Sequence, residues 1–440
     1  MHENPLCTPP DVLFLVFGDL SLTDLIPASL TPNFWRYISY QPHHPEPGVA
    51  LLLDRLNCST AAPIELTITP TATLTTTLSL LLLNVALSHI HRCRGFIFIL
   101  TLSNTVDLDS CFQYSTPLPW LEVFELDIRG ASLPMLCLHD VLHPAYAPRV
   151  RSLALSDIAL SPLLQQKLTT IIKLSLALIH IENNYISIAD VLAALPRLRH
   201  MSIVSDDKDH VVVFLANFPA SHDLLSFDIL PPIKHVTCCK LSSILFRVPK
   251  ISFTARLDSI PIDWFELTRG ITGNLRVELS VDSFLETHQS YITIVLSEIS
   301  GHQFQRIIRL LCPAQSIDEV PHPFPACLSN RCTSVRLPII LLHIVDALFC
   351  GQMPSIQTLE LDVDSQEWCE ANAPCQRALL YMATLKQVII RHNVLDIAQH
   401  RSTPLVRKLL QRVLVLPRSS GLQSASIQND RAMTYEYDIA

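Results

Sequence analysis

The chain has 440 residues, of which 49% are hydrophobic and only 16% charged, below the quarter that globular domains usually carry. Its net charge of −8 is the balance of 40 acidic and 32 basic side chains spread thinly; no basic face stands out, which counts against a nucleic-acid partner, and 9 glycines leave little material for phosphate-cradling loops. The 13 cysteines are odd in number, and Cys58, Cys93, Cys137, Cys238 and Cys239 sit in apolar company, so buried thiols of a reducing compartment are expected rather than a disulfide scaffold.

The opening MHENPLCTPPD has no basic stretch leading into an apolar one, so no secretory signal is recognisable and a cytoplasmic or nuclear protein is expected. From Pro9 to Ser39 the spacing of Val12, Leu13, Val16, Phe17 and Leu20 predicts short amphipathic helices, a module over residues 1–40. Residues 41–48, QPHHPEPG, read as a proline-punctuated linker. Beyond it, Val49–Leu56 reads as helix, Pro63–Thr69 as strand, Leu74–Cys93 as helix and Phe96–Leu100 as strand. Two apolar runs, Leu78–Ile90 and Leu337–Phe349, are too short for a bilayer span and are expected to be buried helices.

One phrase then keeps returning: an apolar residue, two spacers, a second apolar residue, one spacer and a third. It reads Leu121, Phe124, Leu126; Val150, Leu153, Leu155; Ile171, Leu174, Leu176; Leu198, Met201, Ile203; and, far downstream, Ile356, Leu359, Leu361 and Leu385, Val388, Ile390. Its starts lie 29, 21 and 27 residues apart in the first run and 29 in the last pair, within or close to the period of leucine-rich repeats. One strand plus a return element cannot bury its apolar face alone, and stacking neighbours solves that problem. The fold class expected is therefore α/β: a leucine-rich-repeat-like solenoid over residues 49–416, a curved, mainly parallel sheet with helices on its outer face.

The phrase weakens over residues 215–334, although Val248–Leu257, Asn274–Val281 and Tyr291–Ile299 still read as strands. Cys312–Arg336 is proline-rich and reads as a loop or insertion, Leu405–Leu416 as a basic amphipathic capping helix, and residues 417–440 as a mobile polar tail.

Candidate chemistry is sparse. His43 and His44 lie in the linker; Cys327, Cys332 and His322 have no second ligand pair at zinc spacing; Asp206, Asp207, Asp209 and His210 form an acidic turn. Gly-x-Ser-x-Gly, a Walker loop and His-Glu-x-x-His do not occur. No catalytic residue, metal site or cofactor is assigned.

Two stretches resemble something known. Pro10-Asp11-Val12-Leu13, with Val16-Phe17, Leu20, Asp24-Leu25, Ala28-Ser29 and Trp35-Arg36, is similar to the F-box, the helical module that docks on the Skp-type adaptor of cullin–RING ubiquitin ligases. With LDRLNCSTAAPIELTI, LSHIHRCRGF and APRVRSLALSDIAL, most of the chain resembles fungal F-box proteins with leucine-rich-repeat-like C-terminal regions. The resemblance implies a substrate adaptor without chemistry of its own, whose repeats hold a protein target. Pro10, Leu13, Val16, Phe17, Leu20, Leu25 and Trp35 are the candidate partner-binding residues, Trp35 packing the module internally in one reading and facing the partner in the other. The chain departs from the family at Pro9, the first position of the usual Leu-Pro opening, at Pro27, inside an expected helix where proline costs about 3 kcal/mol or more, and at Pro32, where the family usually has a small cysteine. A repeat scaffold with a decayed module and no ligase role therefore stands beside the adaptor reading.

Overall fold

A computed structural model describes residues 36–40, 45–59, 62–69, 76–101, 116–129, 142–156, 168–178, 186–205, 222–230, 248–256, 264–268, 273–284, 289–299, 304–313, 326–338, 355–363, 384–392, 424–429 and 434–438, with a few single positions between. It is an α/β fold dominated by parallel strands, with few helices among the described residues, and it divides into two units: residues 1–202 with 219–223, and residues 203–218 with 224–440.

The first unit is a parallel ladder in chain order. Its strands are β1 (Tyr37–Tyr40), β2 (Ile64–Ile68), β3 (Cys93–Thr101), β4 (Val123–Arg129), β5 (Ser152–Ser156) and β6 (Lys173–Ala177), each paired in parallel with the next. The register stacks like on like. Ile38, Leu66, Phe96, Phe124, Leu153 and Leu174 are successive Cα partners on one face, every one of them buried. Phe96 and Phe124 lie ring on ring at 5.5 Å between centroids, nearly parallel. Helix α1 (Pro45–Cys58) joins β1 to β2, and α2 (Thr76–Ser88) with a short 3-10 turn (Ile90–Arg92) joins β2 to β3. Leu82, Leu83, Ala86 and Leu87 of α2 are buried, so this apolar run is a core helix as its length implied.

Helix α3 (Ile188–Ala194) leads to β7 (His200–Val204), where the first unit gives way to the second. A reciprocal cap starts α3: the Ser187 hydroxyl accepts from the Asp190 amide at 3.3 Å, and the Asp190 carboxylate accepts from the Ser187 amide at 3.0 Å. Pro196 follows its C-cap, Leu195, as a helix stop should.

In the second unit β8 (Ser226–Leu230) pairs in parallel with β9 (Lys250–Arg256). The short helix α4 (Trp264–Leu267) follows, then a departure from simple stacking: β10 (Leu275–Phe284), β11 (Gln289–Glu298) and β12 (Gln305–Pro313) form an antiparallel meander. It is β12 that pairs in parallel with β9, while β10 pairs in parallel with β13 (Cys332–Pro338), which follows the short α5 (Ala326–Ser329). A meander of three strands reverses direction twice, so its outer members point the same way and both can join a parallel ladder. Parallel pairing then resumes through β14 (Thr358–Val363), β15 (Gln387–His392) and β16 (Ser424–Asn429), and β17 (Thr434–Asp438) closes against β16 antiparallel.

Five sequence expectations about the fold are corrected. Residues 37–40, assigned to the helical module, are a strand, because Tyr37-Ile38-Ser39-Tyr40 alternates with period two and buries Ile38 and Tyr40. The linker over residues 41–48 ends in helix: Pro45 and Pro47 fall in the first turn of α1, where a missing N–H leaves nothing unbonded. Cys312–Arg336 is not one long loop, since β12, α5 and β13 take part of it, and Leu337 belongs to β13 rather than to a helix. Residues 417–440 are not simply a tail, because β16 and β17 extend the ladder there. The capping helix over residues 405–416 lies outside the described residues.

Candidate binding surface

Each ladder has a second face opposite its buried rows. In the first unit it carries Tyr37, Glu65, Val123, Ser152 and Lys173 along one register row, and Ser39, Thr67, Ile97, Glu125, Ala154 and Ser175 along the next. These side chains are half-buried or exposed, small or polar in the main, and so form an even platform. Two ion pairs fringe it, Arg36 Nη2 to Glu65 Oε1 at 3.2 Å and Arg94 Nη2 to Glu122 Oε2 at 3.0 Å. Burial pushes the Glu125 carboxyl up, Asp127 adds to the rise and Lys173 opposes it. With its folded value above the unfolded one, ionised Glu125 costs the fold some stability, a cost relieved as pH falls through that value.

In the second unit the corresponding row reads Glu278, Arg336, Glu360, Ile389, and the charges interlock. Glu360, only 4% exposed, takes Arg276 Nη2 on Oε1 at 3.2 Å and Arg391 Nη2 on Oε2 at 2.8 Å. Arg336 forks onto Asp362 at 2.9 and 3.3 Å, and Arg276 Nε lies 2.7 Å from Glu278 Oε1. Three arginines meet three carboxylates, so the lattice is neutral and its hydrogen-bonding capacity largely spent. Such a surface discriminates by fit rather than by charge.

The strand starts of β5, β6 and β7 present the opposite picture. Pro148-Arg149-Val150-Arg151 and Pro196-Arg197-Leu198-Arg199 are the same turn written twice, each burying its central apolar residue in the core and leaving both arginines exposed. The amides of Ile172 and Lys173 donate to the Arg151 carbonyl, and those of Arg199 and His200 to the Ile172 carbonyl, which places these turns side by side. Arg149, Arg151, Lys173, Arg197, Arg199 and His200, all exposed, therefore share one edge of the first unit. At its β4 end the Arg149 guanidinium lies 5.2 Å from the centre of the Trp120 ring, 45% exposed, with exposed Tyr146 beside the same turn. This corrects the expectation that no basic face stands out.

The residues singled out from the sequence, Pro10, Leu13, Val16, Phe17, Leu20, Leu25 and Trp35, lie outside the described residues, as do His43, His44, His322 and the acidic turn at 206–210. Cys332 is buried in β13 with its thiol donating to the Ser334 carbonyl at 3.6 Å. Among the described residues no cluster of three metal-ligating side chains occurs, and no helix is long and apolar enough to cross a membrane. Burial pushes the Cys93 and Cys332 thiols up to about 12, which keeps the nucleophilic thiolate negligible at neutral pH. Both are expected to resist N-ethylmaleimide in the native protein and to react only once it is unfolded. Peptide mapping of the labelled sites checks this, and rapid native labelling of either would contradict the packing described.

No protein-family model matches the chain, and no curated protein matches it either.

Proposed function

We propose that this chain is a non-catalytic interaction protein, resembling an F-box substrate receptor, whose leucine-rich-repeat-like ladder holds a protein target. The observation that carries the reading is the parallel ladder itself, with apolar residues stacked on one face and a broad, largely polar second face available to another polypeptide. Under this reading residues 10–35 dock on the Skp-type adaptor, the array positions the target near the ubiquitin-loaded enzyme, and no reactive group is needed. A cytoplasmic or nuclear site of action follows from that role.

The test is capture of a Skp-type adaptor by the full-length chain, with Leu20→Asp as the control. The expected result is co-purification that the substitution abolishes. A folded full-length chain that captures no adaptor removes the ligase role and leaves the scaffold reading, in which the N-terminal residues cap the ladder. Deletion of residues 1–35, which spares β1, would then leave the remainder insoluble, whereas a separate docking module is removable without harm.

A further inference from the structure

We infer that the edge formed by the strand starts of β5, β6 and β7 is a docking strip for an acidic segment of a partner protein, with Trp120 as the apolar anchor at one end. The inference rests on the reading that the ladder holds a protein target, and it names the chemistry of that target. Three observations carry it. The first is charge: Arg149, Arg151, Lys173, Arg197 and Arg199 are exposed on three consecutive turns, and among the described residues none of them is in a salt bridge. An exposed row of like charges on neighbouring turns is mutually repulsive and destabilises the fold slightly, a cost that a bound anion relieves.

The second is shape. Neighbouring strands lie about 4.8 Å apart, so the strip from Trp120 to Arg199 is about 14 Å long, the reach of four or five residues of extended chain. The repeated Pro-Arg-x-Arg turn sets two arginines immediately before β5 and before β7, with Lys173 at the start of β6 between, so that an extended acidic segment laid across the strand starts meets a cation at each. The third is the anchor: Trp120 and Tyr146 keep exposed aromatic surface next to Arg149, and tryptophan, tyrosine and arginine are the residues on which interface energy concentrates.

The surroundings favour a narrow peptide over a nucleic acid or a membrane. Glu122 lies at the same strand starts, Glu125 and Asp127 follow on β4, and the whole chain carries −8. A wide polyanion would press its phosphates against those carboxylates, whereas a segment of a few residues stays within the strip.

The experiment titrates the full-length chain into fluorescein-labelled Leu-Glu-Glu-Asp-Glu-Glu and follows anisotropy. The expected result is saturable binding at about 50 mM salt that fades at about 300 mM. The double charge reversal Arg151→Glu with Arg199→Glu should weaken it about tenfold, and Trp120→Ala several-fold. The charge reversal should leave the thermal unfolding midpoint unchanged or slightly raised, because it removes like-charge repulsion between exposed side chains, whereas Trp120→Ala lowers it somewhat, since more than half of that ring is covered. No binding, or binding indifferent to the reversal, overturns the inference. So does stronger binding of oligo-dT or of phosphatidylserine vesicles at equal charge, which would reassign the strip to nucleic acid or to lipid. Adaptor capture through residues 10–35 is read separately with the same proteins. Loss of capture with peptide binding intact sinks only the ligase role, and the converse sinks only this inference.

Discussion

Replacing Arg306 with methionine is expected to destabilise the second unit by about 3–5 kcal/mol. Arg306 is fully buried, and its place in the ladder is one that a hydrophobic residue should fill: its Cα partners are Ile251 on β9 and Leu296 on β11. Its described hydrogen bonds all go to backbone. Its Nε donates to the Leu267 carbonyl at the end of α4 at 3.2 Å, and its Nη1 to the carbonyls of Val248, Pro249 and Gln305 at 3.2, 2.8 and 3.0 Å. The Phe304 ring lies 5.5 Å from the guanidinium. Burial pushes its pKa down to about 10, so it stays cationic at neutral pH.

Buried ionic groups can often be exchanged for apolar ones at no loss, but only when every partner is exchanged with them. The described hydrogen-bond partners are peptide carbonyls, which no substitution removes. The Pro249 oxygen keeps its bond from the Gln305 amide, while those of Leu267 and Val248 lose the guanidinium. Each stranded acceptor costs about 1–3 kcal/mol, and methionine recovers only the stem's packing. Arg306→Lys should fare little better, since one ammonium cannot span carbonyls that a planar fork reaches together. A chain of two units need not unfold in one step, so the measurement is amide hydrogen exchange of β9 and β12 peptides beside those of β3 and β4. Faster exchange confined to β9 and β12 is the expected outcome, and unchanged exchange there would refute this account of Arg306.

Arg306 also marks where the sequence stops being readable. All eighteen apolar positions of the recurring phrase, from Leu121 through Ile390, are buried, because a period-two strand within a fixed repeat is a local pattern that one residue window contains. The strands at 250–256, 275–284 and 289–298 were legible for the same reason. Their partners were not. That β12 rather than β10 joins β9 depends on pairing across about fifty residues, and an arginine in a strand reads as solvent-facing until that pairing sets the carbonyls around it. The basic strip escaped notice for a related reason. Arg151 and Arg199 are 48 residues apart, and only the stacking of three successive repeats sets them on one edge with Lys173 between, so a charge count along the chain sees them as dispersed. The repeated Pro-Arg-x-Arg turn was the one available signal.

Glu360→Gln is expected to cost about 2 kcal/mol, against less than about 1 kcal/mol for the superficially similar Glu65→Gln. Both carboxylates pair with arginine across parallel strands. They differ in solvent. The Glu360 side chain is 5% exposed and holds two arginines from opposite sides, Arg276 of β10 and Arg391 of β15, whereas Glu65 is 34% exposed and, among the described residues, ion-pairs with Arg36. An amide in place of the Glu360 carboxylate keeps the volume but offers one acceptor oxygen and turns an NH2 toward one of the two guanidinium groups. Turned toward Arg391 it strands that guanidinium, and the desolvation already imposed there is no longer offset, whereas Arg276 keeps Glu278 at 2.7 Å. The penalty stays below that of a fully buried pair because Arg276 and Arg391 are themselves about one-third exposed and can rehydrate. A double-mutant cycle of Glu360→Gln with Arg391→Met isolates one arm of the lattice, and a coupling near 1 kcal/mol is expected. Because β14 joins β13 to β15, exchange of the 358–363 and 387–392 peptides should quicken together in Glu360→Gln and remain unaltered in Glu65→Gln. Equal effects of the two substitutions would show that burial in the second unit's lattice adds nothing to an ordinary surface ion pair.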